Sequence, residues 1–263
     1  MVVIFLGDVV GDTGRAALYA ALPQLRREFE PDAIVVNGEN AASGRGITPR
    51  LAREFFSHGV DVITLGDHAW DQNELIAELD NLPRVLRPFN YPSDIPGHGS
   101  VIIDTPAGRL GVMSLIGRTF MPTKADNPFT HGYEEAQRLR AAGADALLAD
   151  IHAEATSEKI AMGYRLDGIA SAVIGTHTHV QTADERILPG GTACLTDAGM
   201  CGSNIGVIGR DTEAVLKAQI STLPVKLSIA KFPAVVSGVV VEIDTASGRA
   251  RSIQRINLDV NEP

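Results

Sequence analysis

The chain of 263 residues holds only two cysteines, Cys194 and Cys201. That is too few for a disulfide scaffold or a thiolate zinc site, and a cytoplasmic location is the expectation. No run of lysine and arginine occurs, and the net charge is −9 with a pI near 5.2. Binding to duplex nucleic acid across many phosphates is excluded on that ground, whereas a small phosphorylated ligand is compatible with acidic groups neutralised by cations. No stretch approaches the roughly 18 uninterrupted apolar residues of a spanning helix, so no membrane partner is expected. The segment Met1 to Asp8 lacks a positive n-region and its apolar run ends at Asp8, which reads as a strand and not as a signal peptide. Internal repeats, low-complexity tracts and linkers are missing too, and one domain over residues 1–263 is expected.

Several catalytic and nucleotide-binding signatures are also absent. There is no G-x-x-x-x-G-K-[S/T] phosphate loop and no G-x-S-x-G nucleophile elbow, which leaves Ser171 without support as a nucleophile. Gly7, Gly11 and Gly14 follow the first apolar run, but their spacing is not that of a dinucleotide fingerprint, and Asp8 would face the anionic pyrophosphate.

What remains is a composition of 44% hydrophobic residues and 26 glycines, which suits a compact α/β protein. Three strand-loop-helix units open the chain. Residues 2–7 are a buried-strand pattern followed by a helix from about Arg15 to Phe29. Residues 33–36 form a second strand, broken at 37–40, with a helix over 49–58. Residues 60–65 form a third, broken at 66–68, with a helix over 71–80 that Asp71 would cap. Such alternation predicts parallel pairing through right-handed crossovers. Residues 99–104 and 109–116 predict an antiparallel hairpin around Thr105-Pro106-Ala107-Gly108. A helix over 131–142, a strand over 144–151, a helix over 156–168 and a strand over 171–174 follow. From Arg186 onward the strands at 192–196, 235–243 and 251–258 read as mostly antiparallel. The architecture expected is two packed sheets with helices outside.

Five apolar runs end in the same way, delivering Asp8, then Asn37, Glu39 and Asn40, then Asp67 and His68, then His152, then His177 and His179. Each alone has a plain structural use, such as Asp8 capping a helix. Recurrence at one structural position is what points to chemistry, because ligands of open α/β sheets bind outside the carboxyl ends of the strands. If the strands are neighbours in one sheet, the side chains share one rim. In an extended segment, His177 and His179 leave the backbone on the same side. Carboxylates, an amide and imidazoles without thiolates exceed the needs of one tetrahedral zinc, so a dinuclear site is expected. Two ions ~3.5–4 Å apart suit phosphoryl transfer.

The order Asp8, Gly38-Glu39-Asn40, Gly66-Asp67-His68, His152 and Gly175-Thr176-His177-Thr178-His179 resembles the calcineurin-like metallophosphoesterases. The longer strings at 5–11, 36–42, 152–159 and 175–184 are similar to the YmdB-like bacterial phosphodiesterase branch. That resemblance implies a four-layer αββα sandwich of two mixed sheets. It also implies hydrolysis of cyclic nucleotides, with 2′,3′-cyclic AMP as the usual substrate, and two divalent or trivalent ions, iron or manganese ahead of zinc. Carried over residue by residue, Asp8, Glu39, Asn40 and His179 bind one ion. Glu39 bridges to the second, which takes Asp67, His152 and His177. His68 matches the proton donor in an in-line attack by a metal-bridging hydroxide.

Three departures from the wider pattern stand out. The usual Asp-x-His reads Asp8-Val9-Val10, so Asn40 takes the place of the missing histidine. Glu39 replaces the usual bridging Asp, and Asp67 stands where the branch generally has Asn, an extra anion that lowers Lewis acidity. The rival reading is a metal-binding regulatory or scaffold protein with weak or vestigial activity. Arg45 reads as an exposed loop residue ahead of a phosphate contact. Nothing in the sequence opposes a homo-oligomer.

Overall fold

The computed structural model describes residues 1–261 of the chain, so the last two residues of the expected domain lie outside the described part. In chain order the elements are β1 (Val2–Leu6), β2 (Asp8–Val9), α1 (Gly11–Phe29), β3 (Ala33–Asn37), α2 (Pro49–Ser57), β4 (Val62–Thr64), α3 (Asn73–Glu78) and β5 (Val85–Leu86). The middle part supplies β6 (Ser100–Thr105), β7 (Gly108–Ile116), α4 (Pro128–Ala141), β8 (Ala146–His152), α5 (Thr156–Arg165) and β9 (Ala172–Thr176). The last part supplies β10 (Arg186–Ile187), β11 (Ala193–Leu195), β12 (Met200–Ser203), α6 (Thr212–Ser221), β13 (Ala234–Asp244) and β14 (Arg249–Val260).

The first sheet runs β2-β12-β13-β1-β3-β4-β5 with β14 on the free side of β13, and the second runs β10-β11-β9-β8-β7-β6. Both are mixed: β1 pairs parallel with β3 and antiparallel with β13, while β7 pairs antiparallel with β6 and parallel with β8. The strands are apolar on both faces because each face is covered. In β1, Val3 and Phe5 point between the sheets, where they meet Leu148, Ile174 and Leu195. Their neighbours Ile4 and Leu6 point outward onto Leu18, Leu22 and Leu25 of α1. On the far side, Leu147, Ala149 and Ile151 of β8 pack against Leu139 of α4 and Met162 of α5. Helix, sheet, sheet, helix is the four-layer αββα sandwich anticipated from the resemblance.

Three expectations need correction. The strands carrying the polar ends do not share one sheet: β1, β3 and β4 belong to the first, β8 and β9 to the second. The hairpin β6–β7 is the reason, since β7 takes β8 as its parallel partner and starts a new sheet. The strand expected within the antiparallel tail, β11, lies parallel to β9. Helix α1 starts at Gly11, ahead of Arg15, and α6 and the short strands β2, β5 and β12 lie where no element was expected. Among the described residues, no helix is long and apolar enough to cross a membrane.

Candidate metal centre

The two sheets meet at the carboxyl ends of their parallel strands, and the polar residues divide between them by type. Asp8, Glu39, Asn40 and Asp67 lie just past β1, β3 and β4 of the first sheet. His152 ends β8, and His177 and His179 follow β9 in the second. Single apolar runs stop at these places because a buried carboxylate or imidazole cannot continue a core strand without a partner.

One half of the site is a tight group of Asp67, His152, His177 and Glu39, whose donor atoms all lie within 4.8 Å of one another. His152 Nε2 lies 3.0 Å from Asp67 Oδ1, 3.1 Å from Glu39 Oε1 and 3.0 Å from His177 Nδ1. His177 Nδ1 is itself 3.3 Å from Asp67 Oδ1. The other half brings His179 Nε2 within 3.2 Å of both Asp8 Oδ2 and Asn40 Nδ2. Glu39 stands between the halves, since its Oε1 meets His152 on one side and accepts from Asn40 Nδ2 at 3.0 Å on the other.

A cation fits this donor set. One imidazole N–H at His152 cannot serve Glu39, Asp67 and His177 together, whereas a metal ion accepts lone pairs from all four groups. Asp8 Oδ1 is buried with no hydrogen-bond partner, an arrangement that calls for a positive group beside it. Each histidine also has its outer nitrogen engaged, as metal ligands require for orientation. His152 Nδ1 bonds Thr176 Oγ1 at 2.8 Å, His177 Nε2 lies 3.2 Å from Glu154 Oε2, and His179 Nδ1 lies 3.2 Å from the Ile208 carbonyl.

The electrostatics follow from this crowding. Burial disfavours the charged forms of Asp8 and Asp67, yet the bonds from His179 to Asp8 and from His152 and His177 to Asp67 outweigh it and hold both pKa values below the usual carboxylate range. Burial also opposes the charge on His152, but Glu39 and Asp67 prevail and raise its pKa well above the ordinary value. Behind the centre, Asp150 is fully buried, and burial pushes its carboxyl up to about 6 against the opposing effects of His152, Thr64, Thr176 and Asn37.

His177 and His179 are not presented by an extended segment. Both have positive φ, 97° and 64°, and His177 reaches the Asp67–His152 half while His179 reaches the Asp8–Asn40 half. His68 also sits at the rim. Its backbone N–H donates to Glu39 Oε2 at 3.2 Å, its Nδ1 lies 3.1 Å from Asp71 Oδ2 and its Nε2 lies 3.9 Å from Asp67 Oδ2. Asp71 therefore does not cap α3, whose N-cap is Gln72. Arg45 does not sit on the cluster: its Nε pairs with the same Asp71 oxygen at 3.1 Å. A cleft of about 370 Å³ opens over the centre, lined by Glu39, Asn40, His68, His177, His179 and Arg210 among others. That lies in the range of roughly 300–1,000 Å³ common for small-molecule sites.

Sequence reasoning missed Glu154, Thr176, Asp150 and Asp71 in their supporting roles. A signal existed for Asp150, which sits two residues before His152 in an otherwise apolar strand and so shares its face.

An αββα sandwich in which carboxylates of one sheet meet imidazoles of the other at the strand ends defines a metallophosphoesterase. A profile described as YmdB-like protein matches residues 4–256, and the chain belongs to that family. It is 43% identical over 256 residues to the 2′,3′-cyclic-nucleotide 2′-phosphodiesterase of Bacillus subtilis (strain 168), covering 97% of this chain and 96% of that relative. The crystal structure of a hypothetical protein from Thermus thermophilus superposes with a TM-score of 0.91 at 37% identity, over 98% of this chain and 99% of the other. That of a novel phosphatase from Mycoplasma pneumoniae gives 0.92 at 32% identity, over 100% of this chain and 95% of the other.

Proposed function

We propose that this chain is a dinuclear metal-dependent phosphodiesterase, a single cytoplasmic domain that hydrolyses cyclic nucleotides such as 2′,3′-cyclic AMP and other small phosphodiesters. The observation that carries the reading is Glu39, whose carboxylate reaches both halves of the donor cluster, as a bridging ligand must. Asp8, Asn40 and His179 would hold one ion, Asp67, His152 and His177 the other, with Glu39 shared. The mix of oxygen and imidazole donors suits iron or manganese, with zinc next. Two such ions supply an activated water and neutralise charge gathering on the phosphoryl oxygens.

The chain's own residues do the rest. Asp71 occupies Nδ1 of His68, which leaves Nε2 to hold the proton that the departing ribose oxygen takes up. The name of the Bacillus subtilis relative, 43% identical over 97% of this chain, supports a cyclic nucleotide as substrate. The additional anion of Asp67 is the observation that favours the rival, a regulatory protein with weak turnover.

The test is the metal content of purified protein and its turnover of bis(p-nitrophenyl) phosphate and 2′,3′-cyclic AMP, for wild type and Glu39→Gln. Wild type should bind two ions and turn over both substrates, and Glu39→Gln should lose ions and activity together. A Glu39→Gln protein with two ions and full turnover would remove the bridging role, and wild type that binds two ions yet turns over neither substrate would favour the regulatory reading.

A further inference from the structure

Behind the loop that carries His177 and His179 lies a buried ion pair with no place in the chemistry so far. Lys159 of α5 donates from Nζ to Asp197 Oδ2 at 2.6 Å, with side chains only 2% and 1% exposed. The same oxygen accepts from Thr178 twice, from Oγ1 at 2.6 Å and from the backbone N–H at 3.2 Å. Lys159 Nζ also reaches Thr178 Oγ1 at 3.4 Å, and Asp197 Oδ1 accepts from the Gly199 N–H at 2.8 Å. Thr178 is thus gripped at backbone and side chain. On either side of it, both histidines adopt the left-handed backbone that residues with a Cβ avoid. A strained conformation of this kind persists only where surrounding structure over-determines it.

The pair is hard to explain as a stability device, because a buried ion pair generally does no better than apolar groups of the same volume. Its contacts are concentrated on the one residue between the two histidines. We propose that Lys159, Asp197 and Thr178 form a clamp that positions the two rings, sending His177 to the Asp67–His152 half and His179 to the Asp8–Asn40 half. The three are positioning residues, since none has a donor atom in the cluster. This proposal rests on the metal-centre reading and adds to it what holds the imidazoles apart.

The test uses Thr178→Val, which removes the hydroxyl and leaves the ion pair and the backbone bond, beside Thr178→Ser, which keeps the hydroxyl. Manganese is titrated calorimetrically into metal-free protein, kcat and KM are measured on bis(p-nitrophenyl) phosphate, and melting is followed without metal. Thr178→Val is expected to bind manganese about 10–100-fold more weakly, with kcat lowered more than KM is raised and metal-free melting close to wild type. Thr178→Ser should restore both. Manganese affinity in Thr178→Val equal to wild type, or no rescue by Thr178→Ser, overturns the clamp. So does a loss confined to metal-free melting, which would make the trio a fold element only. Should Thr178→Val not fold, the pair Lys159→Met with Asp197→Asn gives the same readout. Wild type that takes up no manganese overturns the metal-centre reading and the clamp with it, whereas normal uptake by wild type and variant alike overturns the clamp alone.

Discussion

The side-chain amide of Asn37, at the end of β3, donates to the carboxylate of Asp150 in β8 at 3.0 Å and so ties the first sheet to the second beside the cluster of carboxylates and imidazoles. Thr64 Oγ1 reaches the same oxygen at 2.6 Å, and Thr176 Oγ1 donates to the other at 2.7 Å. Asp150→Ala leaves these buried donors without a partner, at about 1–3 kcal/mol for each. The expected loss is about 3 kcal/mol or more, which lowers the melting temperature by roughly 10 °C. Thermal unfolding of the metal-free protein checks this, and a change under about 2 °C would mean the bonds do not join the sheets in solution.

His68→Ala separates leaving-group assistance from metal chemistry. A good leaving group such as p-nitrophenolate needs little protonation, whereas a ribose oxygen needs much. Turnover of 2′,3′-cyclic AMP should fall by ~10²–10⁴-fold and that of bis(p-nitrophenyl) phosphate far less. Asp71→Asn should show the same pattern at smaller size, because it orients His68. Equal losses on both substrates would argue against a proton-donor role.

Metal should reshape the pH dependence of stability, removing a fall above about pH 6.5 and adding a rise below it. Burial opposes charge on His152 and His179, yet neighbouring carboxylates prevail, chiefly Glu39 and Asp67 for the former and Asp8 for the latter, and both pKa values rise. Between the unfolded value of 6.5 and the raised folded values, the native state binds more protons than the unfolded chain. Stability of metal-free protein therefore falls as pH increases through that window. Cations displace those protons, so with saturating manganese the unfolded chain is the one that takes up protons below about 6.5, and stability rises with pH. Melting curves from about pH 6 to 9 with and without manganese give the two slopes, and parallel slopes would contradict the assignment of these rings as ligands.

Gly66 sits where any larger residue would enter the centre. A Cβ there would lie 2.2 Å from His152 Cδ2 and 2.3 Å from Glu39 Oε2. Gly66→Ala is expected to weaken metal binding by at least ~10-fold, with far-ultraviolet circular dichroism unchanged. Calorimetric titration measures the first, and wild-type affinity would show that the site has room to spare.

Much of the candidate site was legible in the chain. Apolar runs of strand length that stop at Asp8, Glu39, Asp67, His152 and His177 could be read locally, and the structure brings those residues together. The route differed from the expected one. The run from Val173 to Gln181 predicts an extended presentation of His177 and His179, whereas their backbones are left-handed around a Thr178 bonded to Asp197. Asp71 has the sequence position of a helix cap, but its carboxylate meets His68 instead, a contact that depends on how the loop folds back. Helix α6 buries none of its residues, so no apolar stripe announced it.

The sequence by itself determined which residues stand at strand ends and what chemistry they bring, because strand length, breaking residue and donor type are local properties. Only the tertiary structure decided that carboxylates and imidazoles approach from different sheets. Asn37 and Asp150 are 113 residues apart, and nothing near either one specifies the other. Their pairing follows from which strands find each other in two sheets packed face to face, a contest settled by burial over the whole chain.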